Sequence, residues 1–416
     1  MEVKPGYKQT EVGVIPEDWD VQQLGELKPF VTSGSRGWAS YYSERGDLFV
    51  RITNLTRESI YLDLTDSRFV RLSEGDSEGM RTQLKENDVL ISITADIGII
   101  GYADARIPTP AYINQHIALL RFDPAKVNSK FVSYFLASEE SQKIFRAATD
   151  TGAKAGMSLS GVQKIQTALP PTTDEQRAIA TALSDMDALL DGLDRLITKK
   201  RAIKQATMQQ LLTGQTRLPG FSGEWETKTV EQTADCLDNL RVPLNDAERS
   251  KMQGEYPYCG ANGVLDYVNK FVIDDDIILM AEDGGYFDEY ETRPIAYRMT
   301  GKCWVNNHAH ILKAKPQIDQ GFLFYSLVHK NILHFLASGT RAKLNKSEML
   351  RIEVLFPPIK EEQTAIAVIL SDMDTEVSAL ETRRTKIRAL KQAMMQELLT
   401  GRTRLSDFNQ EDSRYV

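Results

Sequence analysis

The residues best suited to chemistry are paired acids and a pair of histidines. Asp274–Asp276 stand together as DDD, and Glu282 and Asp283 lie in the loop AEDGG. Acidic loops of this kind can hold a divalent cation for a nuclease, yet no Glu-x-Lys follows at close spacing. His308 and His310, in HAH, have strand spacing. That places both imidazoles on one face, where they could share a metal, but no local cysteine or third histidine completes a ligand set. Three cysteines, Cys236, Cys259 and Cys303, show no CxxC spacing and read as reduced thiols. There is no Gly-x-x-x-x-Gly-Lys-Ser/Thr phosphate loop and no GxGxxG between strand and helix. LPPTT and FPPIK lack the leading Asn or Asp of an amino-methyltransferase motif. The sequence therefore assigns no catalytic residue, no metal ligand and no cofactor to this chain.

Binding chemistry is better represented. Asn114, Gln115 and His116 in YINQHIALL are matched by Asn306, Asn307 and His308 in WVNNHAHIL. Amide side chains can pair with adenine N6 and N7; equally, they can cap turns and strand ends. SGSRGWASYYSERG offers Arg36, Trp38, Tyr41 and Tyr42 among small residues, Lys154 sits in a Gly/Ala loop, and Arg341, Lys343 and Lys346 crowd SGTRAKLNK. Cations in such loops suit phosphate contact and guanine readout. Against this stands a formal net charge of −8, from 50 basic and 58 acidic side chains. A DNA-binding face must then be a local patch, with partner subunits supplying further positive field.

The elements that must position these loops are repeated. With the second copy offset by 187 (357 − 170), residues 170–218 and 357–405 match without a gap at 29 of 49 positions. Each copy reads as a single long helix: Pro170-Pro171 and Pro357-Pro358 end a strand, Thr172, Thr173 or Asp174 can cap, and Gly214 and Gly401 stop the helix. At 1.5 Å per residue, such a helix spans roughly 60 Å. Apolar residues recur in steps of four and three at Ile179, Leu183, Met186, Leu190, Leu193 and Ile197. The second copy shows Ile366, Leu370, Met373, Val377, Leu380 and Ile387, then Leu390 and Met394, with Arg384 interrupting. Such a seam predicts a coiled coil, here within one chain and antiparallel about a pseudo-twofold axis.

The stretches before each helix diverge more but keep an order of parts. NDVLISITADIG parallels DDIILMAEDGG, FVSYFLAS parallels FLFYSLVH, and acid–Trp pairs open both at Asp18-Trp19 and Glu224-Trp225. Short strands broken by Gly, Asn and Asp, with helices late in each segment, predict α+β domains with twisted, mainly antiparallel sheets. The expected order is a recognition domain at 1–169, a spacer helix at 170–218, a second domain at 219–356, a second spacer at 357–405 and a tail at 406–416. No apolar run approaches the roughly 18–20 residues of a membrane span, and the N-terminus shows no apolar signal region. The expectation is a cytoplasmic protein without a membrane partner.

The segments EQ.AIA..LS..D and LKQAMMQELLTGRTRL resemble the long helices of type I restriction–modification specificity (S) subunits. YKQTEVGVIPEDW, NDVLISITADIG, YPYCGANGVLDYVNKF and WVNNHAHIL are similar to stretches of their target-recognition domains, from Tyr7 to Leu405 in all. The resemblance adds Thr94 and Asn262, which lie in these stretches, to the DNA-binding candidates. It implies a non-catalytic reader of double-stranded DNA, each domain taking half of a bipartite asymmetric site and the coil setting the gap. It also implies docking of two modification subunits, which carry S-adenosylmethionine and methylate adenine, and of restriction subunits that use ATP and Mg²⁺. The alternatives are a stand-alone nuclease or methyltransferase, which would turn over alone, and a coiled-coil adaptor that binds only protein.

Overall fold

The computed structural model describes residues 4–34, 37–72, 77–150, 156–337 and 342–405. It divides into two compact units, Met1–Asp194 with Arg383–Val416, and Arg195–Thr382. The boundary falls inside both long helices, Thr173–Leu212 and Lys360–Leu398, of 40 and 39 residues. Each unit therefore holds one α+β domain, the first half of the helix that follows it and the second half of the other helix.

In the first unit an antiparallel sheet has the strand order Phe30–Ser33, Ile117–Arg121, Val89–Ser92, Ile100–Tyr102. Successive residues of a strand face opposite ways, and both faces are covered. Val89, Ile91, Ala118 and Leu120 pack with Phe131, Val132 and Phe135 of helix Ser129–Ala137. Leu90, Ile117 and Leu119 pack with Leu48, Val50 and Ile113 of a second, four-stranded sheet. Coverage on both sides explains why these strands read as continuous apolar runs rather than alternating ones.

The second unit has one six-stranded sheet: Ala234–Cys236, Ala309–Ala314, Ile273–Ala281, Ala296–Val305, Gln253–Gly260, Gly263–Val268. Only the pairing of Gln253–Gly260 with Ala296–Val305 is parallel within it. Ile278, Met280 and Leu312 pack with Phe322 and Leu323 of helix Gln320–Val328. Ile277, Leu279 and Ile311 pack on the other face with Cys259, Cys303 and Val305.

The long helices run antiparallel inside each unit. In the first, Lys391 pairs with Asp187 and Arg384 with Asp194; in the second, Lys204 pairs with Asp374 and Arg201 with Glu381. Thr172 Oγ1 accepts the Glu175 N–H at 3.2 Å and caps the first helix. Gly214 and Gly401 end the helices at φ 70° and 66°, the left-handed conformation that favours glycine. At Gly401 a Cβ would also lie 2.4 Å from Pro16 Cγ, so the stop is wedged against its domain.

The seam is built into the domains as well as between the helices. Ile179 and Leu183 belong to the first core together with Leu398 and Leu399. Ile366 and Leu370 belong to the second core with Met208 and Leu211. Leu193, Ile197 and Val377 are buried, while Met186, Leu190, Met373, Leu380 and Ile387 are half-buried. One expected seam position is corrected: Leu390 is 54% exposed and Lys391 is buried instead. The buried carboxylate of Asp187 reclaims that place, because an ammonium can neutralise it and a leucine cannot.

Candidate nucleic-acid interface

The candidate readers converge on a short turn between two strands in each domain, Ala111–Ile113 and Ile117–Arg121 in the first, Ala296–Val305 and Ala309–Ala314 in the second. In the first, Asn114 follows strand Ala111–Ile113 and is buried; its Oδ1 accepts the His116 N–H at 3.1 Å. This is a side-chain-closed turn, the use of asparagine that competes with base readout. Gln115 Nε2 lies 3.0 Å from His116 Nε2. An amide nitrogen can only donate, so His116 Nε2 accepts and Nδ1–H donates to Thr94 Oγ1. The Ile93 N–H donates to the His116 carbonyl at 2.9 Å, and the Met157 N–H to the Ile93 carbonyl at 2.7 Å. Gly156 passes where a Cβ would sit 2.5 Å from that carbonyl oxygen.

The second domain repeats this hydrogen-bond pattern with other residues. Asn306 is buried and accepts the His308 N–H at 2.8 Å. Asp283 Oδ1 takes the place of the threonine hydroxyl, 2.7 Å from His308 Nδ1. The Glu282 N–H donates to the His308 carbonyl at 2.9 Å, and the Leu344 N–H to the Glu282 carbonyl at 2.7 Å. Asn262 Nδ2 donates to the Gly284 carbonyl at 2.8 Å, and Lys343 Nζ lies 2.9 Å from Glu282 Oε1. Asn262, Asn307, His308 and Lys343 thus gather around Glu282–Gly284. Lys346 lies exposed at the start of the short helix Lys346–Leu350. In both domains the buried asparagine shapes the turn. The middle residue, Gln115 or Asn307, and the histidine are left toward the surface.

The aromatic candidates divide. Trp38 is buried, stacked on Phe49 at 4.8 Å between ring centroids and tilted against Tyr112 at 5.8 Å. Its ring is committed to a small core, so it cannot meet a base directly. Tyr41 packs edge-on against Trp38, and Tyr42, 49% exposed, edge-on against Phe49. Arg36, Lys154 and Arg341 lie outside the described residues.

A polar cluster missed at the sequence level lies beneath the second turn. His310, 1% exposed, faces Asp238 Oδ2 at 2.7 Å through Nδ1 and the Leu344 carbonyl at 2.9 Å through Nε2. Arg241 reaches Asp238, Glu282 and the Asn307 carbonyl. Burial pushes the Asp238 carboxyl up, but His310, the Ile311 N–H and Arg241 together hold it below its usual value. Glu282 is likewise lowered, Arg241 and Lys343 outweighing burial. His308 and His310 do not share a ligand, because His308 lies in the turn before strand Ala309–Ala314 and has a different partner. Among the described residues, ligand atoms of Cys236, Asp238 and His310 do lie within 4.8 Å of one another. Burial first, and then Asp238, pushes the Cys236 thiol up to about 11. It stays protonated at neutral pH, while Arg241 already neutralises the acids, which does not suit a cation. The doubled histidine was the only sequence signal for this cluster; Asp238 and Arg241 reach it through a separate strand end.

The model of the family described as type I restriction modification DNA specificity domain matches the chain twice, over residues 16–204 and 222–391. A putative type I restriction enzyme specificity subunit of Methanocaldococcus jannaschii is 24% identical over 425 residues, covering 96% of this chain and 97% of the relative. One from Haemophilus influenzae is 35% identical over 153 residues, 37% of this chain and 38% of the relative's length. The crystal structure of a type I restriction–modification S subunit from M. genitalium superposes with a TM-score of 0.65 at 15% identity, covering 96% of this chain and 98% of that one.

Proposed function

The chain belongs to the type I restriction–modification DNA specificity family, and from that premise we propose that it is the DNA-reading specificity subunit of a type I restriction–modification complex. Each domain, 1–169 and 219–356, reads one half of a bipartite asymmetric site in double-stranded DNA. The repeated helices, 170–218 and 357–405, set the gap between the halves and offer two equivalent docking faces to two modification subunits. Half-sites read from one face of DNA lie about 34–36 Å apart, one helical turn.

The observation that carries this reading is the turn built twice with different contents. Asn-Gln-His is clamped on Thr94 in one domain, and Asn-Asn-His on Asp283 in the other. A conserved frame with exchanged side chains is what reading two unlike half-sites needs. Gln115, His116 and Thr94 serve the first half; Asn262, Asn307, His308, Lys343 and Lys346 serve the second. Tyr41, Tyr42, Arg36, Lys154 and Arg341 join them as DNA-contact candidates.

Chemistry belongs to the partners. S-adenosylmethionine sits on the modification subunits, and ATP and Mg²⁺ on restriction subunits that cleave unmodified DNA. The complex works in the cytoplasm, and no described helix of this chain is long and apolar enough to cross a membrane.

Co-expression with modification subunits followed by methylation mapping tests the proposal. The expected result is a split motif with a fixed gap, methylated on adenine. A continuous motif, or none that depends on this chain, would overturn it. Turnover of DNA by the purified chain alone would favour the enzyme alternative.

A further inference from the structure

The second domain carries a clamp that the first lacks. Equivalent backbone bonds, Ile93 to His116 and Glu282 to His308, align the two turns, so Ala118 stands where His310 does. By the same alignment Met157 matches Leu344, each donating its N–H to the residue before the histidine's partner. In the first domain that N–H is the described tether between the two segments. In the second, Leu344 is held at both ends of its peptide frame: its N–H by the Glu282 carbonyl at 2.7 Å, its carbonyl by His310 Nε2 at 2.9 Å. A carbonyl only accepts, so Nε2 carries a proton, and Nδ1 in turn is fixed by Asp238. Asp238 is itself held by the Ile311 N–H at 3.0 Å and by Arg241.

The same cluster touches the reading turn from below. Arg241 donates toward the carbonyls of Asn307 and Ala309, at 3.4 and 3.3 Å, and pairs with Glu282, whose other oxygen holds Lys343. One buried imidazole therefore joins the Lys343-Leu344 segment to the framework that carries Asn307 and His308. Buried polar networks of this kind specify one arrangement when every member is satisfied, and a reader must be held within about 0.5 Å to discriminate.

Resting on the DNA-reading function above, we propose that His310 is a positioning residue for base discrimination in the half-site read by the second domain, acting through Leu344, Lys343 and the Asn307-His308 turn without touching DNA.

The test uses the full chain assembled with its modification subunits and maps methylation on every single-base variant of the unaltered chain's motif. Thermal unfolding is recorded for each variant. His310→Leu removes both donors at similar volume; His310→Gln keeps an amide that can still donate. The expected result for His310→Leu is on the order of tenfold more methylation at sites with one mismatch in the second half. Discrimination in the first half stays unchanged, and His310→Gln recovers part of the loss. Uniformly reduced methylation with an unaltered motif, or equal relaxation of both halves, would overturn the positioning role and leave His310 as structural. Should His310→Leu not assemble, Asp238→Ala removes the carboxylate that fixes His310 Nδ1 and is judged by the same two criteria. A chain that directs no split motif even unaltered would refute the DNA-reading function itself, a result distinct from either.

Discussion

Arg404 closes a two-pronged hydrogen bond on Glu175, 229 residues away in sequence, at 2.6 and 2.8 Å. Arg217 does the same to Glu362 at 2.6 and 2.7 Å. Both members of the second pair are offset by 187 from the first, with the two helices exchanging roles. Each arginine follows the glycine stop of one long helix, and each glutamate lies buried in the first turns of the other. Both pairs use the same Nε and Nη2 edge of the planar guanidinium. Such two-pronged bonding is geometrically specific, so these pairs help fix the antiparallel register in both units. A second repeated layer adds Tyr134 to Asp187 at 2.6 Å and Tyr325 to Asp374 at 2.7 Å, each aspartate also holding the lysine of the opposite helix.

Removing Arg404 leaves Glu175 charged and buried. Arg404→Ala is expected to destabilise the first unit by about 3–5 kcal/mol, read from the denaturant midpoint. Adding Glu175→Gln should recover part of the loss, since the unpaired charge goes with it. No recovery in the double variant would mean that packing, and not the ion pair, carries the effect.

Leu183 and Leu370 are fully buried where the helices enter the cores. Leu183→Asp and Leu370→Asp each introduce an unpaired carboxylate there, costing more than the roughly 2–5 kcal/mol of a Leu→Ala change. Co-purification with modification subunits should fail for both. Retained assembly at unchanged unfolding temperature would remove the seam from the docking argument.

His116→Ala and His308→Ala should separate by half-site. Each is expected to relax discrimination by about 1–3 kcal/mol, the worth of a base-edge contact, in one half of the methylation motif only. A variant that blurs both halves would contradict modular reading.

Trp38→Ala should act on stability rather than on specificity. Its stack with Phe49 and Tyr112 is buried, and loss of a core tryptophan costs about 3–5 kcal/mol. Trp38→Phe should restore most of the unfolding temperature with the motif unaltered. An altered first half-site in a stable Trp38→Phe protein would instead place the indole at the DNA.

Acid should release the clamp beneath the second turn. Asp238 and Glu282 have ordinary values of 3.8 and 4.5 and are held below them in the folded protein. Acids depressed by folding contribute stability above their ordinary values and lose it as pH falls through the depressed ones. The stability difference between the unaltered chain and Asp238→Asn, measured by denaturant unfolding, should therefore shrink as pH falls below 3.8. A difference that grows on acidification would reverse the assigned sign.

Much of this organisation is local and so is present in the sequence alone. The offset of 187, the helix stops at Gly214 and Gly401, and the spacing of Ile179, Leu183, Ile366 and Leu370 follow from periodicity and capping, which act over a few residues. The Asn-x-His turn was visible as a repeated tripeptide, but its division of labour was not. Whether Asn114 closes a turn or faces outward depends on where its strand ends, and an amide suits both uses. Trp38 among serines and tyrosines has the composition of a reading loop; only the position of Phe49 on a neighbouring strand turns it inward. Leu390 fitted the heptad, yet Lys391 is buried because Asp187, on the other helix, already occupies that level. His310 offered two histidines at strand spacing, whereas its actual partners come from three separate segments. The tertiary structure alone decided these cases, because partners for buried charges and surfaces for rings are supplied by residues distant in sequence, and no local pattern encodes their arrival.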